Sequence, residues 1–287
     1  MPTSVEQIPF KHDVSPLQVE SLHASGELVA CDFYISQIEK GEEVTGGWQL
    51  GRILNVDHHA PVRRMEKRIT STNLAIERVS AYGIAARSAA ILINHTDCDS
   101  ILSSSILAGV INPDPLFGEA AIAADHTGAE NPIADLLQGL DADEDYTLSL
   151  RNLRLLLDGR DLERPAQLCL DERRRKRDRA AQVVEQFEWV GQVAYLLLGA
   201  PIDGEFFPPL LPSASIIVTA SRNPQVPGKY LMKVRLGEAA PSGLVLPARL
   251  AFDEAYGGRW NAGSNKRGNG TVLTVDDYAQ CLAGIWS

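Results

Sequence analysis

Three short clusters in this chain combine histidine with aspartate, and each follows an apolar run. They read Asp57-His58-His59 after Ile53-Leu54-Asn55-Val56, His95-Thr96-Asp97-Cys98-Asp99-Ser100 after Ala90-Ile91-Leu92-Ile93, and Asp125-His126-Thr127-Gly128 after Ala120-Ala121-Ile122-Ala123-Ala124. A lone aspartate, Asp32, follows Leu28-Val29-Ala30-Cys31. Four strand-like runs therefore each end in a residue able to bind a metal. In an open α/β sheet, ligands bind outside the carboxyl ends of the strands. Such ends converge on one crevice, and this pattern constrains the fold more than any other feature of the sequence.

The stretches between these runs fit that architecture. Helices are expected over 17–23, 71–88 and 99–110, and strands over 27–33, 52–56, 90–94 and 119–124. Thr70, Ser71 or Thr72 can cap the helix over 71–88, because their hydroxyls accept bonds from free backbone amides. Alternation of this kind predicts an α/β fold whose N-terminal domain is a mostly parallel sheet with helices on both faces. From about residue 150 the texture turns helical, with expected helices over 153–157, 173–181 and 183–198 and no clear strand. After Pro208, Pro209 and Pro212 come strand-like runs over 215–220 and 230–236. The expected organisation is a metal-binding catalytic domain over 1–150, a helical connector over 151–205 and a smaller α/β substrate-binding domain over 206–287.

Charge and cysteine usage narrow the function. The formal net charge of −10 argues against a nonspecific nucleic-acid coat protein. The run Arg173-Arg174-Arg175-Lys176-Arg177 is flanked by Asp171, Glu172 and Asp178, so it reads as a solvated, salt-bridged helix face. Cys31, Cys98, Cys169 and Cys281 have no paired spacing, which gives neither a zinc knuckle nor a disulfide framework. The stretch 1–7 lacks a basic region followed by an apolar core, and no run reaches the length of a membrane helix. A cytoplasmic protein with no membrane partner is expected.

In an extended segment, alternation puts His95, Asp97 and Asp99 on one side, where an imidazole and two carboxylates can share cations. Taken alone the segment is equally a polar loop whose Asp99 or Ser100 caps the next helix. Nitrogen and oxygen ligands without thiolate suit Mn²⁺ best, with Mg²⁺, Co²⁺ or Zn²⁺ compatible. Near the C-terminus, residues 257–270 place Gly258, Arg259, Gly263, Asn265, Lys266 and Arg267 in a glycine-rich setting, either an anion cradle or a flexible surface loop.

Asp-His-His at the end of an apolar strand, with His-x-Asp-x-Asp opening a helix, resembles the DHH phosphoesterase superfamily. Residues 121–128 are similar to that family's fourth motif, with His126 standing inside its Asp-Thr-Gly. The loop over 257–270 resembles the substrate loop of the DHH-associated C-terminal domain, without its usual histidine. The motif order departs from the family: its first motif stands third here, which a circularly permuted or re-threaded N-terminal domain would explain.

The resemblance implies a two-metal phosphohydrolase acting on a small phosphorylated substrate such as a nucleotide, a short oligonucleotide or pyrophosphate. It implies two Mn²⁺ ions, Mg²⁺ or Co²⁺ being substitutes. His95 and Asp97 would hold one ion and Asp99 the other, with Asp32 bridging and His58 and Asp125 completing the second site. His59 would act near the substrate phosphate, with Asp57 orienting a histidine. Gly258, Arg259, Gly263, Asn265, Lys266 and Arg267 would bind substrate. No stable long nucleic-acid partner is expected, and a homodimer is compatible. The alternatives are a non-hydrolytic metal- or nucleotide-binding regulatory protein, and a two-metal enzyme of another reaction class acting on a phospho- or phosphono-metabolite.

Overall fold

The computed structural model describes residues 4–11, 14–59 and 69–284. The chain divides into two compact units, Met1–Asp125 with Glu130–Arg173, and Arg174–Ser287 with His126–Ala129. Both are α/β.

In the first unit, β1 (Val5–Gln7), β2 (Leu28–Cys31), β3 (Glu42–Val44), β4 (Gly47–Leu50), β5 (Ile53–Val56) and β6 (Ala90–Ile93) form one sheet in the order β1-β6-β2-β5-β4-β3. The four strands β1, β6, β2 and β5 run parallel, and β4 and β3 extend the sheet antiparallel. β2, β5 and β6 are buried at every position, the burial expected of strands covered on both faces. On one face Leu28, Ala30, Ile53, Ala90 and Leu92 pack with Val19 of α1 (Pro16–Leu22). Alternation turns Val29, Cys31, Leu54, Val56, Ile91 and Ile93 to the other face. The register pairs Cys31 with Val56 and Ala30 with Leu92, so the three strands end at one level. That level places Asp32, Asp57 and Asn94 side by side, with β2 between its neighbours.

Helix α2 (Ser71–Tyr82) starts at Thr70, whose hydroxyl and the Asn73 side chain form a reciprocal cap. Helix α3 (Cys98–Leu107) is buried over its whole length despite Ser103 and Ser104. Both serines return their hydroxyls to backbone carbonyls four residues back, at 2.6 Å each, so neither hydroxyl is stranded. Then come α4 (Pro115–Ile122), α5 (Pro132–Leu140), α6 (Tyr146–Leu157) and α7 (Arg164–Val183).

Three expectations from the sequence fail here. The run 119–124 is not a strand. Its larger part closes α4, because Asp114 caps the amide of Leu116 at 2.9 Å, Pro115 opens the helix, and alanine is the strongest helix former. Residues 183–198 are not one helix, since they form β7 (Glu188–Val190) and β8 (Val193–Leu197). Val190 pairs with Val193 across a two-residue turn in which Gly191 takes φ +57°, the left-handed conformation a tight hairpin needs. The run from Arg173 to Arg177 is only partly a solvated face. Arg173 is buried and pairs with Asp135 at 3.0 Å. Four residues on, Arg177 donates to the Gly128 carbonyl at 2.8 Å and lies over the Phe206 ring at 4.9 Å.

The second unit holds β7 and β8 with β9 (Ile216–Arg222), β10 (Tyr230–Leu236), β11 (Gly257–Gly258) and β12 (Ala262–Ser264), in the order β11-β12-β10-β9-β8-β7. Only β8 and β9 are parallel. The expected strands over 215–220 and 230–236 are β9 and β10. A short helix, α8 (Leu246–Arg249), precedes β11, and α9 (Val275–Gly284) buries Tyr278, Ala279 and Leu282 against Val193, Val218, Met232 and Val234. Among the described residues no helix is long and apolar enough to cross a membrane.

Candidate metal centre

Asp32 leaves β2 in a left-handed conformation, φ +59°, which an L-residue adopts at a cost of order 1 kcal/mol. Its amide donates to the Val56 carbonyl at 3.0 Å, extending the pairing with β5 by one residue. The carboxylate is 1 % exposed and hydrogen-bonded at both oxygens, Oδ1 accepting from the Ser71 hydroxyl at 2.9 Å and Oδ2 from the Ser100 hydroxyl at 3.0 Å. The two oxygens face different partners. Oδ1 stands 3.7 Å from His58 Nε2 and 3.7 Å from His59 Nδ1, and Oδ2 stands 3.1 Å from His95 Nε2.

On the β5 side, His58 Nε2 is 3.2 Å from Asp125 Oδ2 and 3.6 Å from Asp99 Oδ2. Asp125 comes from a single π-helical turn, Ala123–Thr127, a form that recurs at functional sites. Asp99 lies in the first turn of α3 and serves α2 as well. Its Oδ2 accepts the Ser71 amide and its Oδ1 the Thr72 amide, each at 2.7 Å. Asp57 is buried and its Oδ1 holds His59 Nδ1 at 2.7 Å. Among the described residues His59 Nε2 and Asp57 Oδ2 are buried polar atoms with no hydrogen-bond partner, a condition rare enough to need a cause.

On the β6 side, the cap of α3 is Asp97, not Asp99 or Ser100, and its Oδ1 accepts the Ser100 amide at 3.0 Å. Asp97 Oδ2 stays 3.3 Å from His95 Nε2. His95 Nδ1 lies 2.6 Å from the Asn94 side-chain oxygen, which fixes the ring and directs Nε2 toward Asp32 and Asp97.

Three groups of side chains can therefore hold a cation: Asp32, His58 and His59; Asp32, His58, Asp99 and Asp125; and Asp32, His95 and Asp97, the ligand atoms of each lying within 4.8 Å of one another. Asp32 belongs to all three.

The electrostatics point the same way. Burial, then the charges of Asp99 and Asp97, pushes the Asp32 carboxyl well above the usual carboxylate range. Burial and Asp125 also raise the Asp99 carboxyl. Burial alone would lower the two imidazoles. The Asp125 hydrogen bond and the surrounding carboxylates instead push His58 up to about 10, and Asp97 and Asp32 push His95 up to about 11. Burial opposes the charge on Asp57 too, but His59 brings that carboxyl below its usual value. Among the described residues neither Asp32 nor Asp99 pairs with a lysine or arginine. Buried carboxylates crowded in this way need positive charge, and divalent cations would supply it while displacing the imidazole protons. The donor set fits such ions.

The remaining candidates lie in the second unit. Gly258, Arg259, Gly263 and Arg267 line a cavity of about 670 Å³, as do Lys233 and Arg235 of β10. A Cβ at Gly258 would run into the Gly263 Cα, so only glycine allows β11 and β12 to approach so closely. Lys266 instead lines a separate cavity with Arg222 and Asn269. Asn265 is 0 % exposed and turned into the protein.

Sequence reasoning missed Lys233 and Arg235, two cations two apart on an unremarkable strand. Ser71 entered only as a candidate helix cap and Asn94 not at all, since the one signal each carries is its place beside a helix start or strand end.

No family model matches the chain, and no curated protein matches it. Among solved structures it is similar to a pGpG-specific phosphodiesterase, PggH of Vibrio, at 10 % identity over 91 % of this chain and 97 % of that one, with a TM-score of 0.44. The exonuclease RecJ bound to manganese is 12 % identical, with 88 % and 74 % covered and a TM-score of 0.38. An uncharacterized protein from Helicobacter pylori G27 is 8 % identical, with 90 % and 99 % covered and a TM-score of 0.25. At these scores the likenesses are distant, and what this chain does rests on its own side chains.

Proposed function

We propose that the chain is a divalent-metal-dependent phosphohydrolase of DHH type acting on a small phosphorylated substrate. One observation carries this: Asp32 presents one carboxylate oxygen to His58 and His59 and the other to His95. A buried carboxylate shared between two sets of nitrogen and oxygen donors is the arrangement a two-cation site needs. Asp32, His58, Asp99 and Asp125 would hold one ion and Asp32, His95 and Asp97 the other, Mn²⁺ being the best match to this donor set. When bound, two such ions lower the pKa of water and neutralise a phosphoryl group.

The chain's own residues then have distinct tasks. Ser71 and Ser100 fix the rotamer of Asp32. Asp57 lies 2.7 Å from His59 Nδ1 and would hold a proton there, which would leave Nε2 as the atom that exchanges a proton with the substrate. In the second unit Arg259 and Arg267, with Lys233 and Arg235, give one cavity a cationic lining suited to phosphate oxygens. The formal charge of −10 favours small substrates over long nucleic acid. The motif order would follow from a circularly permuted or re-threaded N-terminal domain, and the central place of β2 between β5 and β6 is compatible with a site that survives such a change.

The test is phosphate release from pyrophosphate, short oligonucleotides, cyclic dinucleotides and nucleoside phosphates in the presence of Mn²⁺. Turnover of one class, abolished by chelation, is expected. Tight metal binding with no turnover of any of them would instead make the chain a binding protein.

A further inference from the structure

The glycine-rich loop is held from beneath by side chains that never reach the cavity. Asn265 sits at its centre, 0 % exposed. Its Oδ1 accepts the Met232 amide of β10 at 2.8 Å, and its own amide donates to the Met232 carbonyl at 3.1 Å. Its carbonyl accepts the amides of Gly268 at 3.2 Å and Gly270 at 3.0 Å. Its Nδ2 donates to Asp253 Oδ2 at 3.0 Å, and the same oxygen accepts the Tyr278 hydroxyl of α9 at 2.8 Å. Asp253 Oδ1 accepts the Ala255 amide at 3.1 Å.

Asp253 is 8 % exposed and Tyr278 0 %. Among the described residues no lysine, arginine or histidine pairs with Asp253. A buried carboxylate satisfied by neutral donors is costly to desolvate, and apolar side chains would fill the space at less expense. What the arrangement gains is geometry, because one oxygen ties the centre of the loop to α9 while the amide side chain ties it to β10. On one side of Asn265 lie Gly263 and Ser264, and two residues beyond it lies Arg267, all lining the cationic cavity.

We infer that Asn265, Asp253 and Tyr278 form a positioning device that holds the loop 263–270 so that Arg267, and through β11 and β12 Arg259, face one anion. This rests on the phosphohydrolase reading of the cavity. Asn265 is on this account a positioning residue and not a substrate contact. Replacing Tyr278 with phenylalanine removes a single hydroxyl and keeps the ring packed, so it loosens the device with least harm to the core.

The experiment uses the full-length, Mn²⁺-loaded protein and inorganic phosphate as probe, with wild type, Tyr278→Phe and Arg259→Ala titrated calorimetrically in parallel. Amide hydrogen exchange is followed at Gly268 and Gly270. Tyr278→Phe is expected to weaken phosphate binding about fivefold, the loss of one hydrogen bond's worth of order. It should also speed exchange at both glycines while leaving manganese content unchanged. If Arg259→Ala weakens phosphate binding but Tyr278→Phe matches wild type in affinity and exchange, the positioning role falls and the phosphate site stands. If neither variant changes the affinity, the cavity is not a phosphate site and both readings fall. Should Tyr278→Phe fail to fold, Asp253→Asn is read in its place, since it keeps an acceptor for the hydroxyl and loses the charge.

Discussion

The carboxylate of Asp99 accepts the backbone amide of Ser71 at 2.7 Å, so a candidate metal ligand on one helix also anchors the start of another. Asp97, two residues earlier, caps its own helix through the Ser100 amide. The two acids should therefore separate under substitution. Asp99→Asn turns an amide donor toward one of two backbone donors and should cost about 1–3 kcal/mol of stability as well as metal. Asp97→Asn should lose metal affinity with stability within about 0.5 kcal/mol of wild type, because asparagine caps a helix as well as aspartate does. Chemical denaturation of both metal-free variants is the measurement. Equal stability losses would show that Asp99 has no structural task.

Asp57 and His59 form the second separable unit. Asp57→Asn should keep the metal and lower kcat about 10–100-fold, the usual range when a partner that orients a working group is lost. The same pair stabilises the fold. The Asp57 carboxyl is held below its usual value, so its contribution is present above the unfolded pKa near 3.8 and is lost as pH falls through the folded value. Acid unfolding of Asp57→Asn should accordingly be shallower than that of wild type. An unchanged kcat in metal-loaded Asp57→Asn would remove Asp57 from the proposed mechanism.

Cation uptake should expel protons. In the metal-free protein the surrounding carboxylates push His58 up to about 10 and His95 up to about 11, which favours a proton on each at pH 7. An imidazole must be neutral to bind a metal, so loading both sites should release about two protons per chain at pH 7. The apparent affinity should rise with pH over that range. Calorimetry in buffers of different ionisation enthalpy counts the protons. Uptake with no buffer dependence would mean that His58 and His95 are not ligands.

Much of the candidate centre was legible because its ligands end buried strands. Asp32, Asp57-His58 and His95 follow apolar runs whose register the structure aligns, and a continuous apolar run ending in an acid or imidazole is a local signal. Asp125 was found for a partly mistaken reason. Its alanine-rich approach is a helix ending in a π turn, and a short apolar run does not by itself distinguish helix from strand. Asn265 looked like a substrate residue because it stands among glycines and cations. Its burial depends on Met232, Asp253 and Tyr278, which no local pattern joins. Arg173 and Arg174 look alike in sequence, yet Arg173 is buried against Asp135 and Arg174 is exposed.

That last contrast can be measured. Arg173 and Asp135 are 9 % and 7 % exposed in their side chains, and removing one partner of such a pair strands a buried charge. Arg173→Ala should cost about 3–5 kcal/mol, whereas Arg174→Ala, on the exposed side of α7, should stay within about 0.5 kcal/mol. Urea unfolding of the two variants decides this. Matching midpoints would mean that the ion pair contributes nothing net.

The central claim is that Asp32 serves two cations at once. Manganese per chain, measured by elemental analysis after loading and desalting, tests it most directly in wild type, Asp32→Ala and His95→Ala. About two equivalents are expected in wild type, about one in His95→Ala and close to none in Asp32→Ala, since among the described residues only Asp32 belongs to every candidate group. Wild type that retains no manganese, cobalt or magnesium would contradict the metal centre. An Asp32→Ala variant that keeps both equivalents would contradict the bridge.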